Sequence, residues 1–116
     1  MNPTEPAIQD VRHREGCVDL RLVVPDSLFY LQGHFPGFAV LPGVVQLDWA
    51  IRYARRYLPV GDAAAKTVQV KFRKPIPPNR PIELSLVYVG ERKRLSFECR
   101  DDAGLYSSGQ IVFEEP

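Results

Sequence analysis

Three things are scarce in this chain. Net charge is one: 15 Lys and Arg against 14 Asp and Glu leave a formal charge of +1 across 116 residues. No overall field therefore draws the chain to nucleic acid or to an anionic membrane. Cysteine is another. Cys17 and Cys99 are the only two, far apart and without CxxC spacing. That argues against a disulfide framework or a zinc site, and for reduced, packed thiols in a cytoplasmic protein. Long apolar runs are the third, since none approaches the roughly 18 residues that span a bilayer. The opening MNPTEPAIQD has neither a basic start nor an apolar core, so no secretory signal is expected and residues 1–6 are expected to fray. Nucleophile elbows, Walker loops and dinucleotide fingerprints are missing too, and no metal or nucleotide site is apparent.

What is present is an ordinary globular balance, 45% apolar and 25% charged, in a length that suits one domain over 1–116. A chain this short buries only part of its surface, so a single pair of layers or a dimer interface is expected. From Cys17, the alternation of Val18, Leu20, Leu22 and Val24 predicts a strand. Ile8 to His13 pairs with it across Arg14–Gly16 as a weaker expectation. VPDSLFYLQGHFPG reads as a long loop. Gly43 to about Leu58 reads as the one long helix, opened by Pro42–Gly43 and stopped by Pro59 and Gly61. Its expected buried stripe is Val44, Leu47, Ile51, Ala54 and Leu58, flanked by Trp49, Tyr53 and Tyr57. About four strands follow, with turns at Gly90–Lys93 and Asp101–Gly104. Strands joined by tight turns around one helix imply an α+β fold, with a curved antiparallel sheet wrapped around the helix.

The stretch GHFPGFAVLPGVVQLDWA, residues 33–50, holds one of the two histidines, His34, and an acid, Asp48, fourteen residues on. The plain reading makes His34 a loop residue and Asp48 half of a solvated i, i+4 ion pair with Arg52. The chemical reading makes His34 a general base and the Gly43 N–H, at the positive end of the helix, a donor to a developing oxyanion. Asp48 then serves the leaving oxygen. Such parts suit proton abstraction beside a carbonyl followed by loss of a β-hydroxyl.

The same residues resemble the signature of the 3-hydroxyacyl-(acyl carrier protein) dehydratases, hotdog-fold enzymes. The pattern His34-Phe35-Pro36-Gly37, then Pro42-Gly43, then Asp48 keeps the family spacing, and VKFRKPIPP is similar to a family strand further on. The wording LPGVVQLDWA is nearest to the ApeI-like branch of aryl polyene pathways. The resemblance implies loss of water from 3-hydroxyacyl thioesters to give trans-2-enoyl thioesters, in fatty-acid-like or polyene biosynthesis, with no cofactor. His34 would remove the C2 proton, Asp48 would assist departure of the 3-hydroxyl, and Gly43 N–H would polarise the thioester carbonyl. It also implies a homodimer whose His and acid come from different subunits, and an acyl carrier protein as partner.

Phe35, Phe38, Trp49 and Arg52 are the expected substrate-binding residues. Phe29 and Tyr30 are further candidates for an acyl tunnel. Arg52, Arg55, Arg56, Lys71, Arg73 and Lys74 are either solvated faces or a patch for an acidic carrier. His13 reads as surface. Arg52 stands where many relatives carry Gln, and a guanidinium there favours an ionised Asp48, which would hold a water or orient His34 rather than donate a proton. Two other readings therefore stay open: a hotdog thioesterase, and a non-catalytic hotdog subunit that completes another dehydratase.

Overall fold

The computed structural model describes residues 5–25 and 43–114. Its elements run β1 (Ala7–Arg14), β2 (Cys17–Val23), α1 (Gly43–Tyr57), β3 (Ala65–Phe72), β4 (Pro81–Val89), β5 (Arg94–Asp101) and β6 (Gly104–Phe113). The strands form one six-stranded sheet in the order β1-β2-β4-β5-β6-β3, every pairing antiparallel. One helix against one antiparallel sheet is the α+β, hotdog arrangement the sequence led us to expect. The strand order could not be read from the sequence: β3 leaves the helix and joins the far edge, beside β6.

Turn chemistry fixes the registers. Arg14 pairs with Cys17 across a tight turn in which Gly16 takes φ 74°, a conformation that glycine adopts without strain. Asp101 pairs with Gly104, and Asp101 Oδ1 accepts the Ala103 N–H at 2.8 Å, closing the loop as an Asx turn. Between β4 and β5 a 3-10 turn, Gly90–Arg92, ends on Lys93 in the left-handed region. Period-two alternation then stacks buried rows across the central strands. Val18, Leu86 and Phe97 form one row and Leu20, Leu84 and Cys99 the next, all nearly inaccessible. Gly109 sits opposite Phe97, where an added Cβ would come within 2.8 Å of the Phe97 ring and 2.7 Å of the Gln69 carbonyl oxygen. The sheet closes that tightly only on glycine.

Of the predicted stripe, Ala54 and Leu58 are buried and Leu47 and Ile51 pack against the core, but the buried face is turned away from Val44 toward Trp49 and Tyr53. The core residues of the helix are Val45, Gln46, Trp49, Ala50, Tyr53 and Ala54, while Val44 is 72% exposed and Leu47 and Ile51 are only half-buried. Apolar residues cover two sides of this helix, and periodicity alone cannot rank them. The side carrying Trp49 and Tyr53 removes more apolar area from water, and Ala50 and Ala54 between them let the helix approach the sheet. Pro6, expected to fray with the first six residues, is buried, and Glu5 pairs with the helix.

Candidate active site

Gly43 opens α1, where the first N–H groups have no partner within the helix and the helix dipole is positive. An added Cβ there would lie 2.8 to 3.0 Å from the Phe72 ring, at the end of β3. A side chain at this position would have to push the tip of the exposed Phe72 ring aside. Asp48 follows about one and a half turns later, with its side chain 53% exposed. The polar edge predicted for Asp48 and Arg52 is present: Arg52 Nη2 donates to Asp48 Oδ2 at 2.8 Å.

The same guanidinium has a second anion. Arg52 Nη1 donates to Glu5 Oε1 at 3.1 Å, and Arg56 Nη2 stands 3.6 Å from that oxygen. Partial burial works to lower the Arg52 pKa, but the Glu5 hydrogen bond and the Asp48 and Glu5 charges outweigh it and hold the guanidinium above its ordinary value. Arg56 also lies over the Tyr53 ring at 5.1 Å. Burial first, and the Glu5 charge second, push the Tyr53 phenol up to about 12.

Trp49 is almost fully buried. With Leu22, Gln46, Ile76, Leu84 and Cys99 it lines a small apolar cavity of about 10 Å³ between helix and sheet, room for at most about one water. Gln46 Oε1 is buried without a hydrogen-bond partner among the described residues. His34, Phe35 and Phe38, together with Phe29, Tyr30 and the Pro36–Gly37 and Pro42 elements, lie outside the described residues. The structure therefore brings together Gly43, Asp48 and Arg52 on one helix, with Trp49 on its core side.

The six candidate carrier-binding cations separate. Arg52 and Arg56 engage Glu5, and Arg55 Nη2 donates to the Ala63 carbonyl at 2.9 Å. Lys74 lies over the Tyr106 ring at 4.6 Å, whereas Lys71 and Arg73 are exposed. His13 is exposed, as expected. Both thiols are free; Cys99 is buried, and burial chiefly raises it to about 12, while Cys17 is half-buried. Sequence reading missed Glu5, Gln46 and Phe72. Of these, only Phe72 left a trace, as the aromatic inside VKFRKPIPP.

Residues 10–110 match the family model of the ApeI-like proteins, described as ApeI dehydratase. A 3-hydroxyacyl-[acyl-carrier-protein] dehydratase FabZ from Geotalea uraniireducens is 33% identical over 95 residues, covering 74% of this chain. The chain spans 65% of the length of that curated relative. Among solved structures, the dehydratase heterocomplex ApeI:P from Xenorhabdus doucetiae superposes with a TM-score of 0.87 at 26% identity, covering 96% of this chain and 99% of that one. An uncharacterized protein from Erwinia carotovora subsp. atroseptica does so with a TM-score of 0.76 at 34% identity, over 98% and 97% of the two chains. Thioesterase-superfamily structures share the architecture at 11% and 19% identity, which speaks to fold alone.

Proposed function

Since the chain belongs to the ApeI-like dehydratase family, we propose that it removes water from 3-hydroxyacyl thioesters carried on acyl carrier protein, giving trans-2-enoyl thioesters in fatty-acid-like or polyene biosynthesis. The observation that carries this reading is a helix opening on Gly43, which has no side chain of its own over the amide, with Asp48 exposed about one and a half turns along it. A thioester oxygen held by that amide would gain negative charge as the C2 proton leaves, and an oriented N–H donor stabilises such a charge most as it develops.

In this reading His34 takes the C2 proton and the C2–H electrons form the C2=C3 bond. The C3–O bond breaks, and the hydroxide leaves as water with a proton, assisted by Asp48. The proton taken and the hydroxide lost sum to one water, so the step needs no redox cofactor. The carrier supplies the phosphopantetheine thioester, and the exposed Lys71 and Arg73 suit an acidic partner. The chain acts as a single hotdog domain in the cytoplasm, a placement the two free thiols favour.

A second chain completes the site. Support comes from β3, a sheet edge whose Val68 and Phe72 are 44% and 49% exposed, and from exposed Val44 on α1. We take the second chain to be another copy, with His34 and Asp48 of one site drawn from different subunits. The heterocomplex of the Xenorhabdus protein supports the alternative that a different hotdog chain fills that place.

The Asp48–Arg52 ion pair favours one second reading, hydrolysis of the same thioester, because an ionised carboxylate can direct water at a carbonyl. A product assay separates the two. Purified protein given a 3-hydroxyacyl carrier thioester should yield 2-enoyl thioester, and His34→Ala should slow it by about 10²–10⁴-fold. Free carrier thiol without enoyl product would establish the thioesterase instead.

A further inference from the structure

The N-terminal arm reaches the helix at one point: Glu5 takes Arg52 Nη1 at 3.1 Å while Asp48 takes Nη2 at 2.8 Å. A guanidinium grips a single carboxylate most firmly when both terminal nitrogens address it, as a two-pronged pair. Here those nitrogens are divided between two carboxylates, so Arg52 cannot close end-on over Asp48. The contact with Asp48 uses Oδ2, leaving Oδ1 outside that pair.

We propose that Glu5 is a positioning residue for the dehydration: by occupying Arg52 Nη1, it keeps one oxygen of Asp48 available to the departing hydroxyl. This rests on the proposed dehydratase reading. Arg56 reinforces the arrangement, standing 3.6 Å from the same Glu5 oxygen, so that two cations seat the arm's carboxylate. Buried Pro6, the next residue, anchors the arm beside it.

The role makes a kinetic distinction. Glu5 does not touch substrate, so its loss should alter the chemical step rather than binding. Glu5→Ala should lower kcat by about fivefold, the upper scale of one solvent-exposed ion pair, with KM within about twofold. Glu5→Gln, whose amide oxygen still accepts from Nη1, should recover part of the loss. In an Arg52→Lys background there is no fork to divide, and Glu5→Ala should then change kcat no further. A crystal structure of Glu5→Ala should show both terminal nitrogens of Arg52 on Asp48.

An equal Glu5→Ala loss in the Arg52→Lys background would overturn the proposal, as would an effect confined to KM. So would a variant structure in which Arg52 keeps its single contact with Asp48. An unaltered protein that forms no enoyl product would defeat the dehydratase reading itself. That outcome differs from an active enzyme indifferent to Glu5, which defeats only this inference.

Discussion

β3 and β4 carry nearly the same pattern and meet different fates. β4 alternates Ile82, Leu84, Leu86 and Tyr88, and all four are buried. β3 alternates Val68, Val70 and Phe72, yet only Val70 reaches even half-burial. β4 lies between two strands with the helix packed on its inner face, whereas β3 has a neighbour on one side only. Alternation says that a strand has an apolar face; it does not say which molecule covers it. A sheet edge with an apolar face is a pairing surface, which proteins normally blunt with charge or cover. Here the helix adds Val44, 72% exposed, beside the half-buried Leu47 and Ile51. This edge, where Phe72 meets Gly43, is also where the proposed chemistry begins.

The sharpest way to separate the two strands is to damage each. Leu84→Ala, in the central buried row, should cost about 2–5 kcal/mol in chemical denaturation. Val68→Lys, on the edge, should stay within about 0.5 kcal/mol for the isolated chain yet abolish self-association in sedimentation. Equal destabilisation by both would mean that β3 belongs to the same core as β4. The junction of edge and helix should respond next. Gly43→Ala puts a methyl against the tip of the exposed Phe72 ring, which has to swing aside, and should cost about 1 kcal/mol or less; adding Phe72→Ala should remove that cost.

A smaller effect concerns what holds β3 in place as it leaves the sheet. Arg73 N–H donates to the Tyr106 carbonyl at 2.8 Å, and the Tyr106 hydroxyl donates to Asp101 Oδ2. That hydroxyl, ahead of all other causes, holds the Asp101 carboxyl below its ordinary range. Its contribution is therefore present above about pH 4 and is lost as pH falls through the depressed folded value. The Tyr106 phenol is raised to about 12, by burial first and the Asp101 hydrogen bond second. On the alkaline side the contribution is whole below about pH 10 and fades as pH rises toward the folded value. Tyr106→Phe should thus lower the melting temperature by a few degrees near neutral pH, and the gap should narrow at both extremes.

Much of the fold was legible in the sequence because local chemistry decides it. Pro42–Gly43 and Pro59 bracket the helix, glycines and Asp101 mark the turns, and alternation finds the strands. Three features were not legible, each for a physical reason. Which side of α1 faces the sheet depends on comparing Trp49 and Tyr53 with Val44 and Leu47, a contest settled by packing rather than spacing. The place of β3 at the far edge depends on a long-range pairing that sequence order does not encode. The docking of Glu5 on Arg52 and Arg56 joins positions 47 and 51 residues apart, and nothing local announces it. Of the candidate site, the placing of Gly43, Asp48 and Arg52 on one helix was legible through helix geometry and a family motif, whereas the contacts of Glu5 with Arg52 and of Phe72 with Gly43 are visible only in three dimensions.

The central claim is that two chains build each active centre, one giving His34 and the other Asp48. Mixing tests it directly. His34→Ala and Asp48→Asn should each be nearly inactive alone. Unfolded, combined in equal amounts and refolded together, they should regain about one quarter of the unaltered activity, because half of randomly paired dimers are mixed and each mixed dimer holds one intact centre. A mixture no more active than its parts, from variants shown to pair, would contradict the shared site.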